Sequence, residues 1–123
     1  MRGSAVAADD PVRVLRVEPK DGATGVFRDT PIVASLSHAL QPSSVVAEAV
    51  CVEDDEGAVP GRSALSADGR CVVWRAERLL VPGAAHRVTV AGLRDLRGRA
   101  IAPHQSAFVP CDLTFRDLYD MRS

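Results

Sequence analysis

The residues best suited to catalysis in this chain are three histidines, His38, His86 and His104. A histidine acts as a general base when a serine or cysteine nucleophile lies within hydrogen-bond reach and a third group orients the ring. The three histidines fall in different predicted loops or strands, and no Gly-x-Ser-x-Gly motif lies beside any of them. The pattern favours surface or turn roles, and it predicts no catalytic residues and no enzyme activity.

An acidic run at Asp54, Asp55 and Glu56 is the best candidate for a metal site. Oxygen ligands of this type suit hard cations such as calcium. The run lacks the Asp-x-Asp-x-Asp-Gly spacing of a calcium loop, and Gly57 follows it as in the tip of a β-hairpin. We therefore expect a solvated hairpin tip, with no metal and no cofactor.

The cysteines carry potential chemistry as disulfides or zinc ligands. Cys51, Cys71 and Cys111 are odd in number, so they cannot all pair within one chain. They also lie too far apart for a zinc site of the Cys-x-x-Cys type. The pattern favours three buried or half-buried free thiols.

A loop with three arginines, Arg94, Arg97 and Arg99, has the chemistry to bind carboxylates or phosphates. Asp95 lies among them and dilutes the charge, which favours a solvated loop. Aspartates in the loops are expected to accept hydrogen bonds from nearby backbone N–H groups, and these are Asp21, Asp29 and Asp95.

The size and charge of the chain narrow its possible functions. A chain of 123 residues is long enough for one domain with its own core. The net charge of −1 gives no basic excess for nucleic acid, and no apolar run approaches the roughly 20 residues of a membrane helix. Residues 1–10 lack the apolar region of a signal peptide, so an intracellular location stays open beside an extracellular one.

Short valine-rich runs separated by Gly, Pro, Asp and Ser predict an antiparallel all-β fold. The expected strands are residues 12–18, 31–37, 48–53, 59–65, 70–76, 85–91 and 105–109, with long connections at 20–30 and 92–103. A change of phase between Val14 and Leu15 predicts a bulge, and Pro60 predicts an edge strand. A serine-capped helical turn is expected within residues 38–46.

Alternation within the later strands indicates which side chains face the core. Val72 and Trp74 share one face of their strand, and Val88 and Val90 share one face of the next. Phe108 anchors the last strand. Trp74 and Phe108 are the expected bulky core residues.

Several stretches, taken in order, resemble a known family. Residues 17–26 read Val-Glu-Pro-Lys-Asp-Gly-Ala-Thr-Gly-Val, residues 29–32 read Asp-Thr-Pro-Ile, and residues 40–45 read Leu-Gln-Pro-Ser-Ser-Val. Leu-Ser-Ala-Asp-Gly follows at 65–69, Leu-Val-Pro-Gly at 80–83 and Gly-Leu-Arg-Asp-Leu-Arg-Gly at 92–98. In this order the chain is similar to the bacterial Ig-like domains that are repeated in S-layer and other cell-surface proteins. The resemblance implies an Ig-like or fibronectin-III-like sandwich of about seven strands, without catalytic residues.

Two positions depart from this resemblance. The loop of such domains tends to read Asp-x-x-Gly-Asn, whereas Gly98 is followed here by Arg99. The other departure lies at the corner of the sandwich. Such domains usually carry a tyrosine after the Leu-x-Pro-Gly stretch, and its hydroxyl bonds back to the backbone. His86 occupies the matching position here. An imidazole has the groups to make a similar bond over a shorter reach.

The last segment, residues 111–123, lies beyond the resemblance and is richer in apolar side chains than a disordered tail. Its spacing fits a strand at first and a helix afterwards. It is expected either to fold back on its own sandwich or to dock on a partner. The candidate partner-binding residues are Leu113, Phe115, Leu118, Tyr119 and Met121.

These observations divide the chain into a flexible leader (1–11), a sandwich (12–110) and a C-terminal docking segment (111–123). They favour a non-catalytic structural or binding module of a bacterial surface or extracellular assembly, acting in spacing, adhesion or protein–protein interaction. The alternative is a stand-alone accessory subunit that decorates or links a larger assembly through its C-terminal tail. The expected partners are other protein subunits or neighbouring domains, not nucleic acid.

Overall fold

The computed structural model describes residues 11–120, with side chains up to Asp117. The strands within this range are β1 Val14–Glu18, β2 Ala23–Val26, β3 Ile32–Leu36, β4 Val50–Asp54, β5 Gly57–Ala58, β6 Gly61–Leu65, β7 Cys71–Ala76, β8 His86–Val90 and β9 His104–Pro110. Two short 3₁₀ helices, Pro42–Ser44 and Ala47–Ala49, precede β4, and one α-helix, α1, spans Phe115–Asp120. None of the helices in residues 11–120 has the length and apolar character needed to cross a membrane.

The strands form the two sheets of a sandwich. One sheet has the order β1-β3-β7-β6, and the other has the order β2-β9-β8-β4-β5. Paired strands are antiparallel except β2 and β9, which run parallel. The predicted all-β Ig-like sandwich is therefore confirmed, with nine strands in the described residues where about seven were expected.

The core lies between the two sheets, on the faces that alternation predicts. Val72 and Trp74 of β7, Val88 and Val90 of β8, and Phe108 of β9 are all buried, with at most 2% of each residue exposed. Burying one large apolar side chain contributes about 1.5–3 kcal/mol. Strands β7, β8 and β9 thus supply much of the buried apolar core, and the loops project from the two ends of these strands.

The edge strand that Pro60 predicts is β6, which pairs only with β7. Pro60 separates β5 from β6, and these two strands belong to different sheets. The strand predicted at 59–65, irregular and interrupted at Pro60-Gly61, thus forms only from Gly61 onward, because the chain changes sheets at Pro60. Gly61 begins β6 against Trp74, and a Cβ at this position would overlap the indole ring.

Two further predictions concern irregular backbone. The register of β1 against β3 shifts between Val14 and Arg16, which confirms the bulge. A helical turn forms at Pro42–Ser44, but its N-cap is Gln41 and makes no side-chain cap bond. The expected serine cap is therefore wrong. Ser44 Oγ instead donates to Gln41 O at 2.8 Å and stabilises the turn from its C-terminal side.

Strand β2 lies inside the stretch 20–30, which the sequence predicts to be a connection, and that prediction is wrong. Ala23 pairs with Phe108 and Val26 pairs with Pro110 in parallel register. The strand is at the edge of its sheet and none of its residues is fully buried. Its sequence therefore shows no alternation, and only the distant partner β9 makes it a strand.

The chain enters the sandwich at one pole and leaves it at the opposite pole. In the β8–β9 ladder, Val90 pairs with His104 near the first pole and His86 pairs with Phe108 near the second. The N-terminal pole is formed by segments 11–13, 37–48, 66–70 and 91–103. The C-terminal pole is formed by segments 27–31, 54–57, 77–85 and 111–117.

Candidate functional site

The C-terminal segment starts a helix with a well-formed cap. Thr114 precedes α1, and Asp117 stands three positions later, which is the spacing of a capping box. The Asp117 N–H donates to Thr114 Oγ1 at 3.0 Å, and the Thr114 N–H donates to Asp117 Oδ2 at 2.9 Å. The hydrogen bonds from Thr114 lower the pKa of the Asp117 carboxyl. The local sequence thus fixes where the helix begins.

Three contacts hold this segment against the sandwich at residues 27–29. The Arg28 N–H donates to Leu113 O at 3.0 Å. The Phe115 N–H donates to Asp29 Oδ1 at 2.9 Å. The rings of Phe27 and Phe115 meet edge to face, with centroids 6.0 Å apart. The segment therefore packs on its own domain, which is the first of the two arrangements that the sequence leaves open.

This packing leaves apolar surface exposed. Leu113 is 37% exposed and Phe115 is 63% exposed. Leu79, which the sequence does not single out, lies at the same pole and is 45% exposed. Hydrogen bonds between Arg28 and Leu80 bring it there, since the Leu80 N–H donates to Arg28 O at 3.0 Å. We call Leu79, Leu113 and Phe115 the C-terminal apolar surface.

The other three candidate partner-binding residues are Leu118, Tyr119 and Met121. Leu118 and Tyr119 belong to α1, but their side chains lie outside the described part of the chain. Met121 lies outside the described residues altogether. Partner binding by these five residues stays a prediction.

The histidines do not come together. His86 and His104 lie at opposite ends of the β8–β9 ladder, and His38 lies at the N-terminal pole. Ser37 Oγ and His38 Nδ1 are 2.7 Å apart, a spacing that a nucleophile and its base would have. Ser37 is only 4% exposed, however, and its hydroxyl accepts the Arg13 N–H at 2.8 Å. Ser37 therefore ties the residue that precedes β1 to the turn that follows β3, and it offers no accessible nucleophile.

His86 makes the backbone bond that its position predicts. The ring is fully buried, and Nδ1 is 2.8 Å from Ala84 O, which makes Nδ1–H the donor. The ring also stacks on Phe108, with centroids 5.4 Å apart and planes at 21°. Its other nitrogen, Nε2, is 3.9 Å from Asp54 Oδ2. The imidazole thus replaces a longer tyrosine at this corner of the sandwich.

Asp54 is not part of a solvated tip, and that prediction is wrong. Its side chain is 2% exposed and accepts the Glu56 N–H at 2.8 Å, with Arg78 Nη2 at 3.4 Å. The Glu56 amide, followed by the Arg78 guanidinium, outweighs burial and lowers the pKa of Asp54. Asp54 therefore closes the β4–β5 turn, while Asp55 and Glu56 are exposed. Among the described residues, no group of three or more His, Cys, Asp or Glu side chains has the arrangement of a metal site.

Asp95 organises the arginine loop as the sequence predicts. Its Oδ1 accepts the N–H groups of Arg97 at 3.0 Å and Arg99 at 2.9 Å. Arg99 also places Nε 2.8 Å from Asp95 Oδ2. Burial opposes ionisation of Asp95, but the bonds from Arg99 and Arg97 outweigh it and lower the pKa of the carboxyl. Arg99 is thus a structural partner, whereas Arg94 and Arg97 are exposed as expected of a solvated loop.

The other two loop aspartates do not act locally, contrary to prediction. Asp21 Oδ1 accepts the Ala107 N–H at 2.8 Å, and Asp29 accepts the Phe115 N–H, each across 86 positions. Both residues tie distant segments together. A single sequence gives no signal for such pairing, because only the fold brings the donors near.

The prediction of buried or half-buried thiols holds for Cys71 and Cys111, which are half-buried, and is wrong for Cys51, which is exposed. Cys51, Cys71 and Cys111 are all free thiols. Cys51 is exposed on β4, and Cys71 approaches Ser35 with Sγ and Oγ 3.7 Å apart. None of the three lies beside a histidine contact described above.

The two sheets and their strand order define a module of the Ig-like class. A family model described as bacterial Ig-like domain matches residues 8–116. The chain therefore belongs to the bacterial Ig-like domain family. No curated protein sequence matches it.

Solved structures share this fold at low sequence identity. The S-layer protein rSbsC(31-844) is 14% identical, with a TM-score of 0.64 over 83% of this chain and 14% of that chain. CopC from Methylosinus trichosporium OB3b is 13% identical, with a TM-score of 0.68 over 82% of this chain and 94% of that chain. An L,D-transpeptidase from Mycobacterium smegmatis is 16% identical, with a TM-score of 0.58 over 83% of this chain and 41% of that chain. The chain thus spans only a small part of the S-layer protein.

Proposed function

We propose that this chain is a non-catalytic structural module of a bacterial surface or extracellular assembly, and that it contacts neighbouring protein domains through its C-terminal apolar surface. The observation that carries this proposal is the pair Leu113 and Phe115. Both side chains stay exposed although their backbone is fixed to the sandwich. Exposed apolar side chains on an ordered scaffold are typical of interaction surfaces.

The family supports the structural part of the proposal. In the S-layer protein and in the transpeptidase, the similar region is 14% and 41% of the whole chain, so the fold there is one module among others. CopC differs, since the match covers 94% of its length. That comparison supports the alternative of a stand-alone accessory subunit, which would use the same surface to attach to a larger assembly.

The order of the C-terminal segment supports the binding part. A surface that is already fixed loses little conformational entropy on binding. The capping box, the Asp29 bond and the Phe27 contact each restrict this segment before any partner arrives. We propose that Leu118, Tyr119 and Met121 extend the surface, since they continue the segment in sequence.

The experiment places a photo-crosslinking amino acid at Leu113 of the protein in the bacterium that encodes it. Leu15 provides the matched control position, because it is a leucine exposed to 53% on the edge strand β1. We expect strong crosslinks to protein from Leu113, few from Leu15, and loss of the Leu113 product in Phe115→Ser. Fractionation of the same cells should place the protein in the envelope or outside the cell. Equal crosslinking from both positions, or a purely cytoplasmic protein, would contradict the proposal.

A further inference from the structure

We propose that the two poles of the sandwich bind each other, so that the C-terminal pole of one copy docks on the N-terminal pole of a second copy. The inference rests on the proposed function in one respect, since it uses the same C-terminal apolar surface. It adds that the partner is a second copy of this chain and that the surface contacted on this copy is its N-terminal pole. Four observations on the described residues carry it.

The first observation is where exposed apolar side chains occur. Of the six large apolar residues that are exposed in the described chain, five lie at the poles. The N-terminal pole carries Val46 at 50% and Leu96 at 66%, and the C-terminal pole carries Leu79, Leu113 and Phe115. The sixth is Leu15 in the bulged edge strand. The apolar surface is therefore concentrated where a head-to-tail contact would cover it.

The second observation is the charge of the two poles. The segments of the N-terminal pole contain five arginines and three carboxylates. The segments of the C-terminal pole contain seven carboxylates and three arginines. Unlike poles attract and like poles repel, so the charges favour a head-to-tail contact over a contact of either pole with itself.

The third observation is a hollow at the N-terminal pole whose lining suits an aromatic side chain. A hollow of about 210 Å³ lies there, lined by His38, Ala39, Arg70, Asp95, Leu96, Arg97 and Arg99. Leu96 and Ala39 give it an apolar side, and exposed guanidinium groups favour the face of an aromatic ring. Phe115 is the aromatic side chain most exposed at the other pole, and we assign this hollow to it.

The fourth observation is the direction of the chain. Because the two surfaces differ and lie at opposite poles, their contact is heterologous, and a bound pair still presents one free surface of each kind, one on each copy. Such a contact does not close into a symmetric dimer. It extends the sandwich into a linear series whose length depends on protein concentration.

The experiment measures the mass of the purified chain by analytical ultracentrifugation over a range of concentrations. We expect a mass that rises above the 13.1 kDa of one copy with concentration and falls with added salt. Leu96→Ser and Phe115→Ser should each weaken association at least tenfold. Leu15→Ser is the matched control, and it should associate as the unchanged chain does. Circular dichroism and thermal unfolding establish that all three variants fold.

The decisive measurement mixes Leu96→Ser with Phe115→Ser. Each variant keeps the one surface that the other lacks, so the mixture should form one-to-one dimers and no longer species, while each variant alone stays monomeric. A mixture that stays monomeric, or an unchanged chain that is monomeric at millimolar concentration, overturns the head-to-tail contact. If Leu113 still crosslinks to a different protein in cells in that case, the proposed function stands and only this inference fails.

Discussion

Asp29 and Phe115 are joined by a hydrogen bond of 2.9 Å, from the backbone N–H of Phe115 to Asp29 Oδ1, although 86 positions separate them in sequence. The bond uses a donor at the first turn of α1, which has no partner inside the helix. It therefore serves two purposes at once, since it caps the helix and fixes the C-terminal segment to the sandwich. Leu113 and Phe115 are both exposed while the segment is attached in this way.

Removal of the Asp29 carboxylate should loosen the segment without unfolding the domain. One hydrogen bond contributes about 0.5–1.5 kcal/mol, so Asp29→Ala should lower amide protection in residues 113–117 by up to about tenfold. Hydrogen exchange followed by mass spectrometry measures this change. Asp29→Asn keeps an acceptor oxygen and should retain most of the protection. Unchanged exchange in Asp29→Ala would show that the segment is held by other contacts.

His86 should contribute to stability mainly through its buried ring. His86→Ala removes the stack on Phe108 and the bond to Ala84 O, and leaves a cavity. We expect a loss of about 2–4 kcal/mol in the free energy of unfolding, measured with urea. His86→Phe keeps an aromatic ring and loses only the hydrogen bond, so its loss should be smaller. Equal losses in the two variants would assign the whole effect to that bond.

Gly61 should tolerate no larger side chain. A Cβ at this position overlaps the Trp74 ring, which is 2% exposed and cannot move into solvent. We expect Gly61→Ala to destabilise the fold by about 1–3 kcal/mol, with a change in the near-ultraviolet signal of the tryptophan. Ala64→Ser, an exposed position of the same strand, is the control and should have little effect. A Gly61→Ala protein as stable as the unchanged chain would mean that the edge strand shifts freely.

Acid should destabilise the loop that Asp95 organises. The folded-state pKa of Asp95 lies below its ordinary value of 3.8, because hydrogen bonds from Arg99 and Arg97 favour the charged form over the cost of burial. The carboxylate therefore adds stability above that ordinary value, and the contribution is lost as the pH falls through the lower, folded-state pKa. The pKa values of Asp54 and Asp117 shift in the same direction.

We accordingly expect the Tm to change little between about pH 7 and pH 5 on account of these groups, and to fall below about pH 4. Asp95→Asn should lower the Tm at neutral pH. It should also make the fall of the Tm below about pH 4 less steep. Asp55→Asn, at an exposed neighbour of Asp54, serves as the control for a simple change of net charge. If the Tm of Asp95→Asn fell as steeply below about pH 4 as that of the unchanged chain, Asp95 would not be the source of the acid sensitivity.

The parts of the fold that follow from sequence are those in which local pattern and burial coincide. Val72 and Trp74 are buried and alternate with more accessible residues, because β7 lies in the middle of its sheet and has one face on the core. The same reasoning succeeds for β8. It fails for β2, where Ala23 pairs with Phe108 from far along the chain and no residue is fully buried.

The residues of the C-terminal apolar surface were likewise only partly predictable from sequence. The apolar residues Leu113 and Phe115 stand out because they belong to a terminal segment that is richer in apolar residues than a disordered tail. Leu79 could not be identified from sequence, since it joins them only through the hydrogen bonds between Arg28 and Leu80. Asp54 looks like one of three solvated acids in sequence, and only the placement of His86 and Arg78 buries it.

The opposite positions of Val14 and Pro110 have a mechanical consequence. A force applied between these two residues acts nearly along the strands, since β1 begins at one pole and β9 ends at the other. The backbone hydrogen bonds that join β1 to β3 and β9 to β8 then bear the load in shear and must break together. Resistance to such a pull depends on the rate of unfolding and not on equilibrium stability alone. In the head-to-tail series proposed above, tension along the series would therefore load these hydrogen bonds in shear.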